Sequence, residues 1–224
     1  LRRDHGYYIN RKKIYRICRE NGLILPRKKK SKLPWRVVAA ANRLITAPNQ
    51  LWEFDIKYGY VHGEFRFFFI LSFVDVFSRL VTGAYVGSSC KSGDLRATLS
   101  AAIKGAEIEH GAMLVIRSDN GPQMSSKAFH EYLKELEVKL SHEFIPPATP
   151  NNNAHVESFN SILEIELMQT HYFSTLADAY EKVHQFIKFY NERRIHGSIN
   201  YRTPKEIIQD FKQDKPLFIN AVSL

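Results

Sequence analysis

Residues 50–87 hold three strand-like runs joined by turns too short for a crossover, and no other feature of the chain constrains its fold as tightly. In QLWEFDIKYGYV (50–61), Trp52, Phe54 and Ile56 alternate with Glu53, Asp55 and Lys57, the period-two pattern of a strand with unlike faces. His62-Gly63-Glu64 reads as a turn. FRFFFILSFVDVF (65–77) is nearly continuously apolar, as expected of a central strand covered on both faces. Ser78-Arg79 gives a second turn and LVTGAYVG (80–87) a third strand. Short turns join antiparallel neighbours, so this region predicts a meander.

After residue 90 the period changes. Leu95, Leu99, Ala102, Ile103 and Ala106 recur at helix spacing within 92–110, and AMLVIRSD (112–119) is a short buried strand. A helix over 125–137 carries Phe129, Leu133 and Leu136, and VKLSHEF (138–144) is again a strand. PPATPNNN (146–153) continues neither pattern. Helices follow over 153–169, with Asn153 as N-cap, and over 175–191, with Leu176, Val183, Phe186, Ile187 and Tyr190 along one side. The order β-β-β-α-β-α-β-α-α predicts an α/β domain on a mixed sheet.

Charge is distributed unevenly. Residues 1–36 hold 13 Lys or Arg against Asp4 and Glu20, a net of +11, whereas the whole chain is +9 and residues 37–224 therefore sum to −2. Segment 9–22 reads as a short basic helix with Ile9, Ile14, Ile17 and Cys18 on one face and Gly22 as its stop. PRKKKSKLPWR (26–36) reads as a linker, and a domain boundary is expected near residue 45. A concentrated basic arm suggests a polyanionic partner, most often nucleic acid; a solvated tail is the plain alternative.

With 44% hydrophobic residues the chain can bury a sizeable core. No window approaches 18 uninterrupted apolar residues, so no membrane span is expected. The N-terminus lacks the apolar stretch of a secretory signal, and the chain, which begins at Leu1, reads as a piece of a longer product. Cys18 and Cys90 form no Cys-x-x-Cys pair, so neither a disulfide nor a cysteine zinc site is expected, and a reducing compartment fits.

Three carboxylates stand out. Asp55 lies mid-strand, where aspartate is disfavoured. Asp119 ends a strand and is followed by Asn120-Gly121-Pro122; ligands gather at the carboxyl ends of strands in such sheets. Glu157 lies on the helix after PPATPNNN, off the apolar stripe of Val156, Phe159, Leu163 and Leu167. Singly, each has an ordinary reading: a polar strand face, an Asp-Asn-Gly turn, a solvated helix glutamate. Together they form a hard oxygen donor set suited to magnesium, and phosphodiester chemistry uses two such ions about 3.5–4 Å apart.

The stretches WEFDIKY (52–58), VDVFSRLVTGAYV (74–86), RSDNGPQMSSKAF (117–129), NNNAHVESFNSILEIEL (151–167) and YNERRIHGSINYRTP (190–204) run in order. They resemble insertion-sequence transposases with a retroviral-integrase-like catalytic core. GYYINRKKIYRICRENGLI (6–24) resembles the end of the helix-turn-helix region that precedes such cores. The resemblance implies a ribonuclease H-like fold: a mixed five-stranded sheet with flanking helices over residues 46–206. Ahead of it would lie a basic helix-turn-helix remnant and linker over 1–45, and after it a tail over 207–224.

It implies Asp55, Asp119 and Glu157 as the catalytic, metal-binding triad, holding two Mg2+ or Mn2+ ions. The implied activity is cleavage at the ends of a mobile element and transfer of the freed 3′-hydroxyl into target DNA. Lys12, Lys13, Arg16, Arg27, Lys28, Lys29, Lys30, Arg194 and His196 are the expected DNA contacts. Asn191, Arg194, His196 and Pro204 match the family's C-terminal signature. The expected partners are element ends and target DNA, with at least a homodimer on DNA, no membrane and no small-molecule cofactor, on DNA in a bacterial cytoplasm.

Two features depart from the family. The 37 residues between Asp119 and Glu157 are slightly more than usual, and Glu164 stands where Lys or Arg is usual. On a helix Glu157, Ser161 and Glu164 share a face, so an acid is expected in the path of the DNA. Alternatives are a decayed copy that only binds DNA and a stand-alone ribonuclease. His155 is a candidate fourth ligand or proton shuttle, with contact to the surface or the DNA backbone as the more ordinary reading.

Overall fold

The computed structural model describes residues 6–24, 43–108, 112–119, 124, 127–136, 138–145, 153–217, 219 and 221–223. The chain forms two compact units, Leu1–Arg36 and Val37–Leu224. In the first, helix α1 (Arg11–Glu20) starts where the Asn10 side chain accepts from the Lys12 N–H at 2.8 Å. It ends where Gly22 takes φ +67°, a left-handed value that glycine adopts without steric cost. No residue of α1 is buried, so the expected apolar face of Ile14, Ile17 and Cys18 covers no core in this unit.

The second unit is built on β2 (Leu51–Val61), β3 (Arg66–Asp75), β4 (Val81–Gly87), β5 (Met113–Ser118) and β6 (Lys139–Phe144), in the order β4-β3-β2-β5-β6. The β2-β3 and β3-β4 pairs are antiparallel, and the β2-β5 and β5-β6 pairs are parallel. This is the mixed five-stranded sheet that the resemblance implied, with the meander where alternation and short turns put it.

Successive residues of a strand point to opposite faces. Trp52, Phe54, Leu71 and Phe73 therefore face one way, against Leu95, Leu99 and Ala102 of α2 (Ser92–Gly105) and Phe129 and Leu133 of α3 (Lys127–Glu135). Gly83 on β4 allows α2 to lie close, since a Cβ there would stand 2.8 Å from the Ala102 Cβ. The other face carries Ile70, Val74 and Val86. They pack on Val156, Phe159 and Leu163 of α4 (Ala154–Leu163) and on Ala179, Val183, Phe186 and Tyr190 of α5 (Leu176–Glu192).

Three features differ from the expectations. Asn153 occupies the N-cap position of α4 but makes no capping bond. The helix expected to reach residue 169 changes at Glu164–Met168 into a π-helical turn. The tail is also structured, as α6 (Pro204–Lys212) and β7 (Val222–Ser223), and β7 pairs antiparallel with β1 (Leu44–Ile45). The start of α6 is written in Thr203-Pro204-Lys205-Glu206: Thr203 and Glu206 form a capping box with Pro204 in the first turn. Ile199 and Ile207 then join Ile45, Leu51, Val76, Phe77 and Val115 in a third apolar cluster. Among the described residues no helix is long and apolar enough to cross a membrane.

Candidate active site

Strand β2 pairs in parallel with β5, with Glu53 opposite Arg117. Two residues further on, this register sets Asp55 level with Asp119, just past the end of β5, with the same alternation of faces. Asp55 is half-buried and Asp119 exposed. Ser118, fully buried, donates from its hydroxyl to the Asp119 carbonyl at 2.8 Å and lies 2.9 Å from His142 Nε2, fixing the end of the strand.

Helix α4 crosses the same face. Asn160 donates from its amide to Asp55 Oδ2 at 2.9 Å, and the Ile56 N–H donates to Asp55 Oδ1 at 2.8 Å. Burial pushes the Asp55 carboxyl above its ordinary value, the charge of Asp119 adds to the rise, and these two donors oppose it. Glu157 lies on the exposed side of α4, and its carboxyl is pushed up by partial burial and then by the charges of Asp55 and Glu53. Asp55 is thus within charge range of both Asp119 and Glu157.

A carboxylate whose ionised form is disfavoured by a neighbouring negative charge is relieved by a cation, and an all-oxygen set suits a hard divalent one. The buried Oδ1 of Asn160, which has no hydrogen-bond partner, is a further oxygen beside Asp55. Among the described residues no three His, Cys, Asp or Glu side chains are already gathered closely enough to hold one ion.

The other expected residues are placed as follows. His155 points inward, its Nδ1 2.8 Å from Glu53 Oε1. Glu164 is not a bare acid in the cleft, because Lys57 Nζ lies 2.7 Å from its Oε2. Arg194 donates from Nη2 and Nε to Glu166 at 2.7 and 3.0 Å. His196 is only 8% exposed, packs edge-on against Tyr190, and is pushed down to about 4 by burial and by the charges of Arg194 and Arg79. Lys12, Lys13 and Arg16 are exposed on α1 and, with Asn10, line a shallow depression. Arg27, Lys28, Lys29 and Lys30 lie outside the described residues.

Sequence reasoning passed over Glu53, Lys57 and Asn160. The first two were visible as the polar side of the β2 alternation, but alternation does not say what covers that side.

Two family models, each described as integrase core domain, match residues 45–150 and 138–204. The chain is 30% identical over 203 residues to an uncharacterized 31.7 kDa protein of insertion element IS407 from Burkholderia multivorans, covering 90% of this chain and 70% of that protein. It is 28% identical to the transposase for insertion sequence element IS904 of Lactococcus lactis, covering 72% and 62% respectively. The chain spans between 57% and 70% of the length of these and a related insertion-element protein. Among solved structures, the catalytic core of HTLV-2 integrase in complex with magnesium superimposes with a TM-score of 0.54 at 19% identity, over 72% of this chain and 97% of that one.

Proposed function

The chain belongs to the integrase core family of insertion-element transposases, and from that premise we propose that it cleaves DNA at the ends of a mobile element and joins the freed 3′-hydroxyl to target DNA. The observation that supports this reading is the register that sets Asp55 on β2 level with Asp119 past β5, with α4, which carries Glu157, tied to Asp55 through Asn160. Asp55, Asp119 and Glu157 would hold two magnesium or manganese ions. Bound there, such ions activate an attacking oxygen and stabilise the leaving one.

The chain's own groups orient that donor set. Asn160 and the Ile56 N–H fix the two oxygens of Asp55. Ser118 holds the strand end from which Asp119 projects. Water attacks a DNA phosphodiester beside them, leaving a 3′-hydroxyl and a 5′-phosphate, and that 3′-hydroxyl then attacks a target phosphodiester at the same site, forming a new phosphodiester and releasing a 3′-hydroxyl of the target strand. Lys12, Lys13 and Arg16, with Arg27, Lys28, Lys29 and Lys30, supply phosphate contacts. Two element ends are handled together, so the working form is at least a dimer on bacterial DNA in the cytoplasm. Arg194 supports the π-helical turn from the surface through Glu166, and His196 acts from inside the fold in the segment after α5.

Glu157→Gln and Asp119→Asn test the reading, since each keeps size while removing a charge. A cleavage and strand-transfer assay on paired element ends with Mg2+ should show both steps abolished together, with DNA binding retained. Cleavage surviving in either variant, or wild-type protein that binds ends but never cleaves them, would sink the proposal. The second result would instead favour a copy kept only for DNA binding.

A further inference from the structure

One face of β2 carries Glu53, Asp55 and Lys57, and each meets α4 or its π-helical turn. Glu53 Oε2 accepts from the N–H groups of His155 and Val156 at 2.7 and 3.1 Å. Asp55 Oδ2 accepts from Asn160 at 2.9 Å, and Lys57 pairs with Glu164 at 2.7 Å. Positions 53, 55 and 57 thus answer 156, 160 and 164. A strand advances about 6.6 Å per two residues and a helix about 6 Å per four, so the three rungs stay in step. Sliding the helix by one residue would rotate it by about 100° and break all three at once.

The first rung is the unusual one. Glu53 is 0% exposed in a strand between Trp52 and Phe54, where a lone carboxylate is strongly disfavoured. Its compensation is two unpaired N–H groups at the positive end of α4, His155 Nδ1 at 2.8 Å, and Arg79 within charge reach. Asn153 makes no cap, its amide pointing instead to the Phe54 carbonyl at 3.4 Å. The start of α4 is therefore capped from the strand that carries Asp55.

We infer that Glu53 is a positioning residue: it fixes the height and rotation of α4 so that Glu157 faces Asp55, and thereby sets the affinity of the site for divalent metal. The inference rests on the assignment of Asp55, Asp119 and Glu157 as ligands. Glu53, 0% exposed and bonded to the start of α4, is assigned neither as a ligand nor as a DNA contact.

Glu53→Met keeps volume and removes the acceptor; Glu53→Gln keeps an acceptor without the charge. With the full chain, Mn2+ binding is read from loss of the free-ion paramagnetic resonance signal. Cleavage is measured against Mg2+ concentration, DNA affinity without metal, and folding by thermal melting. Folded Glu53→Met should raise the Mn2+ dissociation constant and the half-saturating Mg2+ about tenfold or more, as loss of a ligand-orienting partner commonly does. DNA affinity should stay unchanged, and Glu53→Gln should return both metal readouts toward wild type. Unshifted metal readouts in Glu53→Met would overturn the inference. So would equal impairment of both variants through lowered melting alone. If Glu53→Met does not fold, Glu53→Asp, whose carboxylate is one methylene short of the helix, takes its place with the same expected rise and the same overturning result. Glu157→Gln run alongside separates the failures: cleavage and Mn2+ binding surviving there would overturn the ligand assignment, and the inference with it.

Discussion

The Asp55 carboxyl sits in β2 with burial and the charge of Asp119 both disfavouring its ionised form. A carboxyl raised on folding is costly to the native state once it ionises. The stability it contributes is full below the ordinary aspartate range and is lost as pH rises through that range to the raised native value. At neutral pH without divalent metal, Asp55→Asn should therefore melt higher than wild type, by about 2–4 °C for each kcal/mol of repulsion removed in a chain of this size. Asn160 can turn its amide so that its unpartnered Oδ1 accepts from the new side chain. The same variant should be inactive. Melting curves in a chelating buffer check this, and a lower melting temperature for Asp55→Asn would count against a cleft strained by like charges. His196 is the opposite kind of residue, a buried imidazole held neutral as part of the packing against Tyr190.

At the scale of elements, the helix bearing Glu157 is tied to the sheet by polar rungs as well as by the apolar stripe of Val156, Phe159 and Leu163. The π-helical turn carries Glu164 and Glu166, each paired with a cation from elsewhere, Lys57 and Arg194. The acid that the sequence set in the DNA path is thus paired with Lys57. Glu164→Gln should free Lys57 for phosphate. DNA affinity should rise modestly and the magnitude of its slope against log salt should grow by about 0.9. Stability should change by under about 1 kcal/mol, since the pair is partly exposed. A binding titration over a range of salt checks this, and a weaker or unchanged slope would show that Lys57 is committed to the fold.

Across the whole molecule, charge and chemistry are divided between the two units. Residues 1–36 carry a net of +11, while the larger unit, with the carboxylate cleft, is slightly acidic. Attraction to DNA is then expected to come chiefly from the arm, with the core adding the site. Deleting residues 1–36 should weaken DNA binding and flatten its salt dependence, each lost phosphate contact removing about 0.9 from the slope. The melting of residues 37–224 should stay near that of the full chain, because the three apolar clusters lie within them. An unchanged salt slope would reduce the arm to a solvated tail.

Local pattern was enough to read the meander and the alternation of helices and strands after it, and it offered the three carboxylates as candidates. Periodicity and turn chemistry are properties of neighbouring residues, and the order of the motifs carried the family. The start of α6 at Thr203-Pro204-Lys205-Glu206 is a local signal of the same kind. What tertiary structure alone decided is how the polar side of β2 is covered. Glu53, Asp55 and Lys57 read as a solvent face, yet a helix about a hundred positions later lies across them. Contacts such as Glu53 to His155 and Val156, or Lys57 to Glu164, depend on a register between strand and helix that leaves no periodic trace in either segment. The same holds for His155 and His196, whose side chains the fold turns inward. Whether a polar residue meets water, DNA or a buried partner is set by what packs over it, and that is a property of the assembled sheet and helices.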